Sequence, residues 1–256
     1  MDTHFAPVAF AGIREATREH LRALPSAIDS FLEDHILASN HYQIVVAGET
    51  AGFASIHEKR LITQFALAEP FRGCGQEPFR ELRQMEQVRS AFVPTCDELF
   101  LAHALDDYRR LAKQAYFFAT LPGVGAEVAA NRYRMRPANM DDVDFVRQES
   151  GDFFEHLERH IAAGELFLTL RDDEAVGFGI LVQSTLYDDV ASIGMYTIER
   201  ARRSGVGTAT IAMLIEECRR RSLQPVAGCW YYNHRSRRTL QRAGMYSSTR
   251  LLKVDY

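Results

Sequence analysis

The clearest pattern in the chain is an uncharged segment followed at once by a helical one. Val190–Ile198 contains β-branched and aromatic residues and no charge, which predicts a buried strand. Apolar residues then recur at helical spacing from Ile211 to Cys218, and Arg219–Arg221 follow where cations favour the end of a helix. Between them lies the loop Arg202-x-x-Gly205-x-Gly207. The pattern predicts a strand, a glycine turn and a helix start.

A glycine turn at a helix start is suited to binding an anion. Glycine lets the backbone approach a ligand, and the N–H groups of the first helical turn have no partner within the helix. A pyrophosphate fits this arrangement best. The spacing of Gly205 and Gly207 matches neither a P-loop nor a Rossmann dinucleotide motif. A turn that serves only packing also fits this stretch when it is taken alone.

A second stretch narrows the interpretation. Val226–Tyr232 has the composition of a strand, and Asn233-x-x-Ser236 with Gly244-Met245 marks the start and end of a helix. The loop and this stretch, in this order, resemble the acyl-CoA-binding segments of the GCN5-related N-acetyltransferase (GNAT) family. The resemblance implies that acetyl-CoA or another acyl-CoA is bound by Met195, Thr197, Arg202, Arg203, Ser204, Gly205, Val206, Gly207, Thr208, Asn233 and Ser236.

The candidate catalytic groups depart from the family pattern. The family often has a tyrosine acid seven residues after the asparagine, but Leu240 stands there. Tyr231 and Tyr232 are the candidate proton donors, although aromatic residues on a strand also serve as core. Asp189 is a candidate that would act through water, and Asp188-Asp189 also fits a plain turn. No metal ion is expected.

The first half shows the same succession of elements. We predict a helix over Ile13–Ala23 and a second helix capped by Ser26. Strand and helix patterns follow at Tyr42–Ala47, Thr50–Ile56, Leu61–Leu67 (strands) and Phe79–Val88 (a helix). In the second half we predict strands at Tyr133–Pro137, Leu166–Leu170 and Ala175–Val182, and helices at Met140–Gln148 and Phe153–Ala162.

Equivalent residues of the two halves recur at nearly constant spacing. Gly75 and Gly205 lie in matching Arg-x-x-Gly loops 130 residues apart, and Gly52-Phe53 precedes Gly177-Phe178 by 125. By the same repeat, Leu99–Ala102 matches a strand, and the stretch that ends in Leu111–Tyr116 matches a helix. One fold is therefore predicted twice.

Proline and glycine interrupt the pattern at Leu121–Ala126, so we place the boundary between two domains there, as 1–125 and 126–256. The predicted fold class is α/β (α+β), and each domain has a mixed, mostly antiparallel central sheet flanked by helices. In the first domain Glu77 replaces the second loop glycine and Pro78 removes an N–H group. We expect that domain to have lost the cofactor, and to shape the acceptor pocket or brace the other domain.

Composition excludes several classes of function. Hydrophobic residues make up 46% and charged residues 25%, with a net charge of −4, so no basic surface for nucleic acid is indicated. The four cysteines lack metal-site or disulfide spacing. A cytoplasmic protein without membrane contact, as monomer or homodimer, is expected. The arginines of 219–221 and 235–242 fit either a solvated helix face or attraction of an anionic cofactor.

The predicted function is transfer of an acetyl or related acyl group from acyl-CoA to an amine of a small molecule or peptide. Such a reaction needs a positioned thioester, a neutral amine, an oxyanion donor and a route for protons. Two alternatives stay open. One is an acyl-CoA-binding or sensing protein without turnover, and the other is an aminoacyl-tRNA-dependent transferase on the same fold.

Overall fold

The computed structural model describes residues 2–85, 87–121 and 132–256, and the chain forms two compact units. The first unit contains the described residues of Met1–Phe117, Trp230–Tyr232 and Ser248–Tyr256. The second contains those of Phe118–Cys229 and Asn233–Ser247. The end of the chain thus belongs to the first unit. The boundary predicted between residues 125 and 126 lies outside the described residues.

The first unit is built on an antiparallel sheet with one parallel addition. Its elements are β1 (Thr3–Val8), α1 (Phe10–Ala23), α2 (Ser30–Leu37), β2 (Asn40–Val46), β3 (Glu49–His57), β4 (Leu61–Leu67), α3 (Gln76–Gln84), β5 (Ser90–Pro94), α4 (Glu98–Ala104) and β6 (Arg110–Thr120), which begins here. β1 to β4 pair antiparallel in chain order, and β5 joins β4 in parallel. Leu251–Asp255 then pairs antiparallel with β5.

The second unit repeats this plan. Its elements are β7 (Arg134–Pro137), α5 (Val143–Ser150), α6 (Leu157–Ala162), β8 (Leu166–Arg171), β9 (Glu174–Gln183), β10 (Val190–Thr197), α7 (Val206–Arg220), β11 (Gln224–Trp230), α8 (His234–Arg242) and the start of β12 (Met245–Asp255). β7 to β10 pair antiparallel in chain order, and β11 joins β10 in parallel. The predicted duplication of a mixed, mostly antiparallel sheet flanked by helices is confirmed.

Helix α7 has the amphipathic face that its sequence predicts. Ile211, Leu214, Ile215 and Cys218 are each at most 2% exposed. The charged residues at its end pair with one another: Arg219 with Glu216, and both Arg220 and Arg221 with Glu217. For the arginines of 219–221, a helix face of local ion pairs is therefore the correct interpretation.

The repeat spacing changes after the loop, and this overturns part of the prediction. α3 has 9 residues and α7 has 15, so equivalent positions beyond them lie 136 rather than 130 residues apart. The caps show it, since Asp97 accepts a hydrogen bond from the N–H of Phe100 as Asn233 does from that of Ser236. Leu99–Ala102 is therefore in helix α4, and Leu111–Tyr116 is in strand β6.

Several element ends also differ from the sequence prediction. Asp29, not Ser26, caps α2, because Ile28 is buried and the chain enters the helix only after it. α3 ends at Gln84 and does not reach Val88. In the second unit, α5 follows a short 3-10 turn and α6 begins at Leu157.

Strand β11 ends at Trp230, so Tyr231 and Tyr232 lie in the turn after it and not on the strand. None of the helices in the described ranges combines the length and the apolar composition needed to span a bilayer.

Candidate functional site

Strands β10 and β11 pair only at one end. The parallel ladder joins Val190–Ser192 to Gln224–Val226, and within the described residues it does not continue toward Thr197. The other edge of β10 stays paired with β9 as far as Thr197 opposite Gly177. The second half of β10 therefore presents one edge to a cleft.

The loop after β10 turns at Gly205, which has φ 90° and ψ 0°. This left-handed conformation strains any residue that carries a Cβ, so glycine fits the position. The turn is fastened from both sides, because the Ser204 hydroxyl donates to the Ala201 carbonyl at 2.6 Å and the Tyr133 hydroxyl donates to the Ser204 carbonyl at 2.8 Å. A rigid turn thus leads into α7.

The first turn of α7 offers main-chain N–H groups to a ligand. The N–H of Ala209 bonds the carbonyl of Gly205 at 3.0 Å, so the N–H groups of Val206, Gly207 and Thr208 come before the helical bonding pattern. A Cβ on Gly207 would lie 3.2–3.3 Å from side chains of Met195, Thr197 and Thr239. Glycine keeps this approach to the N–H groups open.

A cleft of about 860 Å³ lies over this turn, entirely within the second unit. That volume is in the range of small-molecule sites. Its walls come from the end of β10, the loop, the start of α7 and one side of α8. They comprise Phe153, Met195, Tyr196, Thr197, Glu199, Arg202, Arg203, Gly205, Val206, Gly207, Thr208, Asn233, Arg235, Ser236, Arg238, Thr239 and Arg242.

The cleft brings together ten of the eleven residues assigned to the cofactor by resemblance. The exception is Ser204, whose hydroxyl is used inside the loop. The side-chain oxygen of Asn233 accepts a hydrogen bond from the N–H of Ser236 at 3.0 Å, which leaves the amide NH2 as its donor. These residue roles stay predictions.

Sequence reasoning alone did not identify seven of the lining residues. They are Phe153, Tyr196, Glu199, Arg235, Arg238, Thr239 and Arg242. The arginines carried a signal, since residues 235, 238 and 242 are spaced to share one face of a helix. Nothing in the sequence showed that this face borders the loop, because that depends on how α8 packs.

Tyr231 lies in an electropositive setting within the first unit. Its ring stacks on that of Tyr116 with centroids 4.7 Å apart, and the Lys113 ammonium group donates to its hydroxyl at 3.4 Å. A hydrogen bond with Tyr116, the Lys113 contact and the charge of Arg250 lower the pKa of Tyr231 below its ordinary 10.0. Tyr232 is 53% exposed and packs edge-on against Tyr231 and Trp230.

Asp189 lies at the paired end of β10 and β11, not in the cleft. Its main chain and carboxylate accept hydrogen bonds from the main chain and side chain of Gln224. Eight residues separate it from Thr197, roughly 26 Å along an extended strand. Within the described residues, no three His, Cys, Asp or Glu side chains form a cluster that could hold a metal ion.

The corresponding place in the first unit is filled. The Nε2 atom of His103 lies 2.4 Å from where a Cβ on Gly75 would be, whereas no other described part of the chain comes within 4 Å of that position on Gly205. The His103 ring packs against Phe65 and Phe79. Burial lowers the pKa of His103, which makes it a neutral side chain near pH 7.

Comparison with known proteins agrees with this duplicated architecture. Residues 10–120 match the family model described as an acetyltransferase (GNAT) domain, and residues 133–245 match the acetyltransferase (GNAT) family. None of the curated proteins matches the chain in sequence.

Several solved structures share the fold at low sequence identity. A GNAT-family acetyltransferase from Colwellia psychrerythraea has a TM-score of 0.86 at 16% identity, covering 100% of both chains. A GCN5-related N-acetyltransferase from Sphaerobacter thermophilus has 0.63 at 16%, covering 99% of this chain and 95% of that one. A tandem GNAT protein from the clavulanic acid biosynthesis pathway has 0.58 at 12%, covering 100% and 98%. The chain belongs to the GNAT acetyltransferase family, whose domain it contains twice in tandem.

Proposed function

We propose that this protein is an N-acyltransferase that moves an acetyl or related acyl group from acyl-CoA to an amine of a small molecule or peptide. The observation that carries the proposal is the cleft of the second unit, which exposes the first N–H groups of α7 beside Gly207. An anionic diphosphate is the ligand that such a helix start attracts, through both the N–H groups and the helix dipole.

The diphosphate of acyl-CoA is assigned to the loop. The N–H groups of Gly205, Val206, Gly207 and Thr208 hold its oxygens, and the Arg202 and Arg203 side chains on the cleft wall neutralise its charge. Ser204 contributes by fixing the turn through its bond to Ala201.

The pantetheine arm is assigned to the open edge of β10. Met195 and Thr197 line the cleft beyond the point where β11 stops pairing, so their main-chain groups can bond the amides of the arm. Asn233 supplies its amide NH2, because its oxygen already caps α8 through Ser236. This arrangement holds the thioester against a strand, where an amine can attack it.

Proton transfer to the leaving thiolate is assigned to Tyr231. A proton donor works best when its pKa approaches that of the group it protonates, and the surroundings of Tyr231 lower its pKa toward that of a thiol. Tyr231 also stands two residues before Asn233 in the chain. Tyr232 remains the alternative donor, and the proposed mechanism gives Asp189 no step because it lies outside the cleft.

The first unit is proposed to bind no acyl-CoA. Its loop carries Glu77 and Pro78, and His103 covers Gly75. Its role is to support the second unit or to contribute to the acceptor site.

Calorimetric titration of acetyl-CoA tests the binding half of the proposal. The native protein should bind, and Gly207→Glu should not, because the new side chain enters the cleft and places a carboxylate beside the diphosphate. Equal heats for both proteins would refute it.

Release of free CoA thiol over a panel of amines tests the catalytic half. Amine-dependent release from acetyl-CoA supports an enzyme. Binding without release for any amine would instead indicate an acyl-CoA-binding protein.

A further inference from the structure

The cleft carries more positive charge than a diphosphate needs. Its walls contain five arginines, Arg202, Arg203, Arg235, Arg238 and Arg242, and one carboxylate, Glu199. Glu199 lies 3.5 Å from Arg202, which leaves an excess of four positive charges along the cleft. A diphosphate diester of the kind in CoA carries about two negative charges at neutral pH.

Helix α8 contributes three of these arginines on a single face. Arg235, Arg238 and Arg242 follow one another at i, i+3 and i+7 and span roughly 10 Å along the helix. All three are exposed, and none has an ion-pair partner among the described residues. By contrast, the arginines of 219–221 are paired with Glu216 and Glu217. The α8 arginines are thus the ones left for a ligand.

We propose that Arg235, Arg238 and Arg242 bind the phosphomonoester on the 3′ carbon of the CoA ribose. This inference rests on the proposed function, since it concerns the same ligand. A phosphomonoester carries close to two negative charges at pH 7 and three acceptor oxygens, which suits several guanidinium groups on one helix face. It would account for the charge that the diphosphate leaves uncompensated.

The consequence is selectivity for the donor. The second unit should prefer CoA over dephospho-CoA, which is identical except that it lacks this phosphate. It should likewise prefer free acyl-CoA to an acyl group on the phosphopantetheine arm of a carrier protein, which also lacks it. A row of arginines could also meet an acidic protein surface, but these three line a cleft of ligand size, which favours the phosphate.

Calorimetric titrations of CoA and of dephospho-CoA test the inference directly. The native protein should bind CoA at least about tenfold more tightly, the size expected for one charge-assisted contact. In Arg235→Gln/Arg238→Gln/Arg242→Gln the affinity for CoA should fall to that for dephospho-CoA, while dephospho-CoA binding changes less than about threefold. The preference of the native protein should also weaken as salt is raised.

The matched control is Arg159→Gln, an exposed arginine on α6 in the same unit that does not line the cleft. It should keep the full preference for CoA. Glutamine has nearly the helix propensity of arginine, and a circular dichroism spectrum of the triple variant checks that α8 still forms.

The outcomes separate the inference from the proposed function. Equal native affinities for CoA and dephospho-CoA, or an undiminished preference in the triple variant, overturn the phosphate assignment and leave the enzyme proposal intact. A native protein that binds neither ligand overturns the proposed function itself. A triple variant that keeps its CoA preference but loses binding to an acidic carrier protein would assign the α8 face to a protein partner instead.

Discussion

The two units carry the same strand–loop–helix corner, yet only one of them opens it. In the second unit Gly205 is left-handed, with φ 90°, and α7 starts at the turn. In the first unit Gly75 has φ −59°, and the 3-10 helix Glu69–Cys74 leads into α3 with no left-handed turn. The same residue type at the same place thus makes a turn in one unit and a continuous helical path in the other.

Side-chain size completes the difference. Using the spacings that the structure establishes, Phe65, Phe100 and His103 stand where the second unit has Met195, Ser236 and Thr239. Phe65 and Phe100 are at most 1% exposed and belong to the core of the first unit, while their three counterparts line the cleft. A duplicated domain can therefore keep its backbone plan and fill its ligand site with core.

The largest effect expected from exchanging residues between the units concerns the second loop position. Gly207→Glu should weaken acetyl-CoA binding by at least about 100-fold, through steric and charge effects. Adding Glu77→Gly should not restore it, because Pro78 and His103 still obstruct the first corner. Titration should give one site per native chain and none in the double variant. Binding regained in the double variant would show that Glu77 alone had closed the first corner.

The second prediction separates stability from binding at one equivalent position. Phe100→Ala should cost about 3–5 kcal/mol of unfolding free energy, because Phe100 is a buried aromatic, and should leave the intrinsic acetyl-CoA affinity unchanged. Ser236→Phe should abolish acetyl-CoA binding with little change in stability, because Ser236 faces the cleft. Urea unfolding and calorimetry measure the two effects. Loss of both properties in both variants would contradict the comparison.

The third prediction concerns Tyr231. Tyr231→Phe should lower kcat about 100-fold with little change in KM, because the proton donor is lost. The native rate should fall as pH rises through the lowered pKa of Tyr231, since a donor must be protonated, and this alkaline limb should lie below pH 10. It should vanish in Tyr231→Phe and move to higher pH in Lys113→Met. An equal loss in Tyr232→Phe, with the limb kept in Tyr231→Phe, would favour Tyr232.

The smallest effect is expected from the left-handed turn itself. Gly205→Ala should cost about 1–2 kcal/mol of unfolding free energy, since the position has a positive φ and open space around it. Gly48→Ala is the matched control in the first unit, because Gly48 has φ 86° and equally open space. Both should lose similar stability in urea, and only Gly205→Ala should weaken acetyl-CoA binding. Equal affinities in the two variants would mean that the turn does not position the ligand.

Local pattern predicted the elements around the site well. The uncharged run before the loop is β10, and the apolar stripe after it is the buried face of α7. It failed where the copies differ in length: the spacing of 130 residues was carried past a helix six residues shorter, so α4 was taken for a strand and β6 for a helix. A cap was also placed at Ser26 rather than at Asp29, because both residue types suit an N-cap.

The sequence by itself determined the duplication, the loop and the ligand chemistry that a glycine-rich helix start favours. These depend on residues close together in the chain, whose conformational preferences are local. Tertiary structure alone decided which faces meet: that the arginine face of α8 lines the cleft, that Asp189 lies outside it, and that His103 covers Gly75. Those outcomes depend on packing between segments far apart in sequence, and side-chain periodicity does not specify the partner against which a face packs.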